Sequence, residues 1–353
     1  MNKPSNKDGQ TWHPVVQRLI KLVETDQELN DELRAAVSKT GRFAEPTFDH
    51  YCELIHRMQT MIPDPSNWLP LNLEFYYVIA CANNNYLSKN EAFMRWVNDY
   101  VHSIGQWMNK PESVINLQSF INNPAYEIED FVEPPGGWLN FNQFFARQVR
   151  PGARPVDGMT DDQVVVSAAD SRFCGTYPIH SDATVTAKGF HWNINELLDG
   201  SDFADEFKNG VYGHSFLAPT NYHRFHTPVH GKLLEMRTIM GSVTMVVDKI
   251  NNGGLSVSKA EIGYQFTQER GLAVIDSPIG LVGVVPIGMG IVSSVTFSAK
   301  PGSTLNKGSE LGYFSFGGSD VILLFQEQAQ IEWDIQVDEF IRQGRMIAKA
   351  KVK

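Results

Sequence analysis

The sequence has few of the features that mark membrane-spanning, secreted or nucleic-acid-binding proteins. No apolar run approaches the roughly 20 residues that a helix needs to cross a bilayer, and the first residues, MNKPSNKDGQTWHP, lack the apolar core of a signal peptide. The 353 residues include only three cysteines, which have no metal-ligand or redox spacing. The formal net charge of −10 disfavours a nucleic-acid surface, which requires clustered basic residues. These absences predict a cytoplasmic protein without a nucleic-acid partner.

What the sequence does contain changes in character about a third of the way along. Apolar residues recur every three or four positions in the first part, as on one face of a helix. Two segments, LNLEFYYVIACANNNYL and NEAFMRWVNDYVHSIGQWM, predict further helices, the second capped by Asn90. The pattern breaks at FVEPPGGWLNF, because consecutive prolines and glycines cannot continue a helix. We therefore predict a helical N-terminal domain over residues 1–135.

Residues 136–353 instead carry short β-branched runs separated by turn residues, which predicts strands. The fold class is therefore α+β, with a mostly β, sandwich-like or barrel-like catalytic domain after the helices. The last segment, DEFIRQGRMIAKAKVK, is compatible with either a strand or a helix. The runs are QVVVSAA, GKLLEMRTI, SVTMVVDKI, GLAVIDS, GLVGVVPIG, GIVSSVTFS, DVILLF and AQIEWDIQV.

Four stretches of the second part carry residues suited to chemistry. Each has a plain structural interpretation when taken singly: a docking segment, a turn, core or surface histidines, and a glycine bulge. The stretches are FNQFFARQVRPGARPVD, VSAADSRFCG with Asp170, APTNYHRFHTPVHG with three histidines, and LGYFSFGGSDVILLF with Ser319.

The three histidines of the third stretch raise the question of a metal site. His223, His226 and His230 lie within eight residues, and imidazoles are common metal ligands. No carboxylate or thiolate with suitable local spacing completes a ligand set. We predict no metal.

Together and in this order, the four stretches resemble those of the phosphatidylserine decarboxylase family. The resemblance covers about residues 140–326. It includes the phenylalanine-rich segment ending in Arg-Pro, an Asp in a Ser-Pro-Ala-Asp-Gly-like run, the Tyr-His-Arg-x-His-x-Pro core, and a Gly-Ser before an apolar strand. The histidine core combined with Gly-Gly-Ser is its most specific part.

The resemblance implies a zymogen that cuts itself between Gly318 and Ser319. The Ser319 hydroxyl would attack the Gly318 carbonyl, with His226 as the base and Asp170 orienting it, as in other Ser–His–Asp units. The products would be chains 1–318 and 319–353, which stay partners of each other.

The same resemblance implies a covalent pyruvoyl cofactor derived from Ser319 and a lyase, that is, carboxy-lyase, activity. The cofactor would form a Schiff base with a substrate amine and act as an electron sink for decarboxylation. His223 would assist decarboxylation or return a proton to the substrate. Tyr222, Phe225 and Asn221 are the expected substrate-binding residues.

The sequence departs from the family pattern at positions that bear on the substrate. Asn221 stands where the family has Asp, Asp320 follows the reactive serine in place of Thr or Ser, and "IGM" at 287–289 replaces Val-Gly-Ala. Gln268 begins the element that is similar to Asn-Glu-Arg. The large helical N-terminal domain, whose first helix is acidic, the "IGM" and the missing amphipathic anchor resemble instead the branch of soluble aromatic amino-acid decarboxylases, including tryptophan decarboxylases. They favour a free aromatic L-amino acid such as tryptophan over phosphatidylserine as the substrate.

Two interpretations from other classes stay open at this point, as does homo-oligomer formation. An uncleaved hydrolase could use Asp170, His226 and Ser319, although FGGSD lacks the Gly-x-Ser-x-Gly elbow. A non-enzymatic β module would use the same glycines as a bulge. An intact chain in solution would favour either alternative over the decarboxylase.

Overall fold

The structure is a computed structural model of the uncleaved chain. It describes residues 11–42, 46–187, 190–251, 253–257, 264–290, 294–315 and 317–353. A helical part is followed by a strand-rich part, which confirms the predicted α+β fold class.

Helices occupy most of the described chain up to Met108, and three shorter helices follow among the described residues. Each longer helix buries an apolar face. No helix among the described residues is long and apolar enough to span a membrane. The α-helices are α1 Pro14–Thr25, α2 Gln27–Thr40, α3 Phe48–Met58, α4 Trp68–Ala80, α5 Tyr86–Lys89, α6 Glu91–Met108, α7 Leu117–Ile121, α8 Phe141–Phe145 and α9 Ile194–Leu198.

Side-chain caps set the helix boundaries. The predicted cap at Asn90 is confirmed, because its side-chain oxygen accepts the backbone N–H of Phe93 at 2.9 Å. The run VVQRLIKLVETDQELNDELRAAV, whose apolar residues repeat as in one helix, instead forms two helices separated by Asp26. Its backbone is extended and its carboxylate accepts the N–H of Leu29, so it ends α1 and starts α2.

The strand-rich part is built around one eight-stranded antiparallel sheet. Its order is β15-β9-β12-β13-β17-β7-β4-β19, and a three-stranded sheet, β14-β16-β8, packs on it. The strands are β1 Phe131–Val132, β2 Gln148–Val149, β3 Val164–Val166, β4 Ser171–Pro178, β5 Thr184–Ala187, β6 Phe190–Asn193, β7 Val211–Leu217, β8 Arg224–His226, β9 Gly231–Ile239, β10 Val247–Lys249, β11 Leu255–Val257, β12 Arg270–Ser277, β13 Gly280–Met289, β14 Val295–Phe297, β15 Thr304–Leu305, β16 Glu310–Phe314, β17 Gly318–Phe325, β18 Glu332–Trp333, β19 Phe340–Ile341 and β20 Met346–Lys349.

The predicted strands differ in how fully they form. GKLLEMRTI is β9 residue for residue, and the last segment is strand, as β19 and β20. SVTMVVDKI and AQIEWDIQV keep only short strands, β10 and β18. Part of GIVSSVTFS, residues 291–293, lies outside the described residues.

The eight-stranded sheet has a separate apolar core on each face. Alternate residues of β17 divide between them: Val321 and Leu323 join the core shared with β8, β14 and β16, while Ile322 and Leu324 join the core shared with α9. The strand is therefore buried on both faces. This explains its almost continuous apolar sequence.

The helical part is not separated from the sheets by a polar boundary. Its core extends to Val243 and Met245 of the second part and to the phenylalanines of α8. The Tyr76 hydroxyl also donates to the Val243 carbonyl at 3.2 Å, and the Val243 N–H donates to the side chain of Asn98. The helices thus pack directly against the strand-rich part.

Phe75 tests how far the helical core supports the fold. It is fully buried, and its ring lies 4.3 Å from that of Tyr100 and 4.9 Å from that of Tyr76. Because Phe75→Ala leaves a cavity, we expect it to lower the free energy of unfolding by about 3–5 kcal/mol. Urea unfolding followed by tryptophan fluorescence measures this. Leu139→Ala, at a site 65% exposed, serves as the control and should change it by less than about 0.5 kcal/mol. Equal unfolding midpoints for the two variants would contradict the assignment.

Candidate active site

Ser319 is the second residue of β17 and lies inside the sheet. It faces Gly288 of β13 on one side and Leu217 of β7 on the other. Its side chain is fully buried. A hydroxyl in this position is shielded from water, and the peptide bond before it joins two residues of the same strand. The Gly318–Ser319 bond thus lies at the start of a strand inside the sheet.

The Ser319 hydroxyl contacts His223, which comes just before β8. The distance from Ser319 Oγ to His223 Nδ1 is 3.1 Å, and His223 Nε2 lies 3.1 Å from the carbonyl oxygen of Ala218. A carbonyl oxygen can only accept, so Nε2 carries the proton and Nδ1 has a free lone pair. The serine therefore donates its hydrogen to Nδ1.

The surroundings of His223 keep it neutral. It has no exposed surface, and its ring stacks on Phe145 with centroids 3.9 Å apart. Burial lowers the pKa of His223 to about 3, and the positive charge of Arg147 acts in the same direction. At neutral pH this imidazole is an acceptor for the serine hydroxyl and carries no charge.

His226 lies three residues further on and has different partners. Its Nδ1 donates to the Gly308 carbonyl at 2.9 Å, and its Nε2 accepts from the Tyr222 hydroxyl at 3.0 Å. Burial lowers its pKa, while the Gly308 carbonyl and the carboxylates of Glu310 and Asp170 act in the opposite direction. The predicted contact of His226 with Ser319 is not among the hydrogen bonds of the described residues.

Asp170 is buried but is bound to arginine and not to His226. Both of its oxygens accept from Arg154, at 2.7 to 3.0 Å, and one also accepts the backbone N–H of Gln343. Arg154 also binds Asp130 at 2.7 Å. In the described part of the chain Asp170 is therefore paired with Arg154 and makes no hydrogen bond to His226. Its carboxylate acts on His226 through its charge.

The three predicted substrate-binding residues do not share one environment. Tyr222 is buried and holds His226, as described above, and the Asn221 side chain accepts the N–H of Ala218 at 2.7 Å. Phe225 lies in the core between the sheets, where it contacts Phe297 and Phe314. Tyr222 and Asn221 line a common cavity, and Phe225 does not. Their roles stay predictions.

The remaining polar residues of the predicted stretches lie apart from Ser319. His230 pairs with Asp162 at 3.0 Å, and Asp320 pairs with His214 at 2.9 Å. Successive strand residues point to opposite faces, so Asp320 and Ser319 serve different sides of the sheet. No group of histidine, cysteine and acidic side chains that could hold a metal ion is found in the described ranges.

Glu269 is a residue that the sequence did not single out as functional. Its carbonyl accepts the N–H of Gly288 at 3.1 Å, and Gly288 in turn lies opposite Ser319. The backbone of Glu269 is thus one hydrogen bond away from the residue that faces Ser319 across the sheet. Burial raises the pKa of Glu269 to about 7. The backbone of Glu269 is therefore close to Ser319, and its carboxyl group is partly removed from water.

Comparison with known proteins extends this picture. A family model described as phosphatidylserine decarboxylase matches residues 141–349. Phosphatidylserine decarboxylase proenzyme 2 of Oryza sativa subsp. japonica is 33% identical over 65% of this chain and 36% of its own length. The phosphatidylserine decarboxylase proenzymes of Fusobacterium nucleatum and Saccharophagus degradans are 31% and 30% identical, over 72% and 95% of their own lengths.

These comparisons bear on two predictions made from the sequence. The chain spans nearly the whole bacterial relative from Saccharophagus degradans but only about a third of the rice relative. The names of all three specify phosphatidylserine, so they do not support the predicted tryptophan-like branch. They favour the alternative that the sequence had left open.

The raised pKa of Glu269 predicts a pH-dependent stability. A carboxyl whose folded-state pKa lies above its unfolded value, about 4.3, stabilises the protein below that value. This contribution is lost as the pH rises through about 7. Glu269→Gln should therefore raise the melting temperature relative to wild type by about 2 °C or more at pH 8 and by less at pH 5.5. Differential scanning fluorimetry at both pH values measures this.

The control for this experiment is an exposed carboxyl, Glu112. Glu112→Gln should shift the melting temperature equally at the two pH values. If Glu269→Gln behaves in the same way, Glu269 does not titrate near neutrality.

Proposed function

The chain belongs to the phosphatidylserine decarboxylase family, and on that premise we propose that it is a self-processing enzyme that removes carbon dioxide from the headgroup of phosphatidylserine. The observation that carries the proposal is the buried Ser319 hydroxyl directly after Gly318, with His223 in contact and His226 three residues further along the chain. This hydroxyl donates to the neutral imidazole of His223. The relatives' names, which call them proenzymes, support processing of the chain.

The proposed maturation uses atoms of this chain and one water molecule. Ser319 Oγ attacks the carbonyl carbon of Gly318, the C–N bond breaks, and the amide becomes an ester with a free amine on Ser319. Loss of the Cα proton then expels the Gly318 carboxylate, which frees residues 1–318 and leaves dehydroalanine. Water replaces the nitrogen, which leaves as ammonia, and residues 319–353 begin with a pyruvoyl group.

The residues around Ser319 fit such a group. It would be held at the start of β17, between β13 and β7, where the neighbouring residue of β13 is Gly288, which has no side chain. When present, a pyruvoyl group supplies an electron-withdrawing carbonyl that accepts the electrons of the bond to carbon dioxide. His223 would remain next to it and orient what binds there.

The two histidines differ in their electrostatic surroundings. The carboxylates of Glu310 and Asp170 stabilise a positive charge on His226, whereas Arg147 opposes a positive charge on His223. We therefore propose that His226 is the base that takes the Ser319 proton during cleavage. His223, although it is the histidine that contacts Ser319, is proposed to assist the later decarboxylation of the substrate. Transfer of the Ser319 proton to His226 requires that His226 Nε2 leaves the Tyr222 hydroxyl or acts through a water molecule. Hydrogen bonds of a resting site often rearrange in this way before the reaction.

Phosphatidylserine is proposed as the substrate because the relatives' names specify it and no feature of the described site selects an aromatic side chain. The cytoplasmic location and homo-oligomer formation stay predictions from the sequence.

The first test is the mass of the purified protein beside Ser319→Ala. Wild type should divide into residues 1–318 and a fragment of residues 319–353 with a blocked N-terminus. Ser319→Ala should stay at about the 39.7 kDa of the intact chain, because it has no nucleophile. Carbon dioxide release should then be seen from phosphatidylserine vesicles and not from tryptophan. An intact wild-type chain under native conditions would overturn the proposal and return Ser319 to the hydrolase or structural interpretation.

The second test separates the two histidines. We expect His226→Ala to remain uncleaved and His223→Ala to cleave but release carbon dioxide about 100-fold more slowly, a typical loss for one acid–base group. Mass spectrometry and headspace carbon dioxide measure the two steps separately. The reverse pattern, with cleavage lost only in His223→Ala, would show that the direct contact with Ser319 is the route of proton transfer.

A further inference from the structure

Arg147, two residues after the end of α8, is the largest fully buried side chain among the described residues. Only some of its N–H groups have a hydrogen-bond acceptor. Its Nη2 donates to three backbone carbonyls, those of Thr220 at 2.9 Å, Asn221 at 3.2 Å and Tyr126 at 3.3 Å. Its Nε and Nη1 have no hydrogen-bond partner among the described residues. The side chain is 2% exposed.

Aromatic rings surround the guanidinium without replacing those acceptors. It lies 4.2 Å from the ring centre of Phe131, 5.3 Å from that of Phe144 and 5.6 Å from that of Tyr126. Ring faces stabilise the positive charge, yet burial still lowers the pKa of Arg147 to about 10 despite the opposing charges of Tyr126, Asp170 and Glu127. Arg147 therefore lacks a counter-ion in contact.

A cavity of about 190 Å³ lies against Arg147. The backbone segment 220–222 forms part of its wall, and so does Phe340, which is 40% exposed. The cavity thus reaches the protein surface. Glu127 is also in the wall, but Arg342 at 2.9 Å and Arg154 at 3.7 Å balance its charge.

The cavity is next to the site at Ser319. Tyr222, in its wall, directly precedes His223, and Phe145, two residues before Arg147, stacks on the His223 ring. The charge of Arg147 also acts on His223. An anion in this cavity would be held beside the histidine that contacts Ser319.

We propose that Arg147 and this cavity bind the phosphodiester of the substrate headgroup, an inference that rests on the proposed function. Two unpaired guanidinium N–H groups match two oxygens of a phosphodiester.

The alternative anion, the substrate carboxylate, is a poorer match. It loses its charge on leaving as carbon dioxide, so an ion pair with arginine would stabilise the starting state and slow the reaction. A phosphodiester keeps its charge throughout, and its binding supports the starting and transition states equally.

The test compares Arg147→Gln and Arg147→Lys with Arg150→Gln, an exposed arginine three residues away, as the matched control. Cleavage is followed by mass, and kcat and KM are measured with short-chain phosphatidylserine in micelles. Arg147→Gln should cleave, with a KM raised about 10- to 100-fold and a kcat within about threefold of wild type. Arg147→Lys should lie between, and Arg150→Gln should match wild type. An unchanged KM, or a fall in kcat alone, would overturn the inference.

A purely structural Arg147 could instead prevent folding when it is replaced, so wild type provides a second measurement. Glycerophosphoethanolamine should compete with the substrate, whereas ethanolamine at the same concentration should not. Inorganic phosphate should compete more weakly than the diester, and equal competition would assign the cavity to free phosphate. No competition by the diester would overturn the inference. Failure of the proposed function is distinct, since wild type itself would then neither cleave nor release carbon dioxide.

Discussion

The site depends on the position of β17 in the sheet, hydrogen-bonded between β13 and β7. This strand is buried on both faces, and it fixes Ser319 within the sheet so that its hydroxyl meets only His223 among the hydrogen bonds of the described residues. The small sheet that carries β8 packs over the same face, which brings the histidine stretch to the serine from a distant part of the chain. Packing of two apolar layers, and not local sequence, therefore creates the contact.

The buried charges near the site follow two different patterns. Arg154 is matched by Asp170 and Asp130, as a buried ion requires, and this pair links the segment after α8 to the strand-rich part. Arg147 is equally buried but has only backbone carbonyls and aromatic rings as neighbours. Two arginines seven residues apart thus have opposite characters, one closed by its partners and one with donors left over.

The sequence predicted the features that depend on local chemistry. The Asn90 cap, the extent of β9 and the change from helices to strands all follow from capping, alternation and turn residues. It also identified Ser319 and His223, which the structure brings into contact. It did not predict the break at Asp26, because a continuous apolar period runs through both helices.

Other parts of the site are not readable from the sequence because they depend on pairings across the fold. Asp170 was expected beside His226, but its short-range partner is Arg154. The position of Glu269 near Ser319 follows from its backbone hydrogen bond to Gly288, which faces Ser319 across the sheet. The unpaired state of Arg147 is visible only when every neighbour has been located. The sequence alone does not show which arginine has N–H groups without an acceptor.

The position of the proposed cut within the strand order has a consequence for folding. Residues 319–353 supply the rest of β17 to the middle of the large sheet, β19 to its edge beside β4, and β20 to a partnership with β3. A short chain interleaved in this way would remain attached after the proposed cleavage, although the mature protein would consist of two molecules. Its refolding would no longer be a unimolecular event, because the high effective concentration of the linked segments is lost with the peptide bond. Maturation would thus convert a protein that can refold alone into one whose native state, once lost, depends on two chains meeting again.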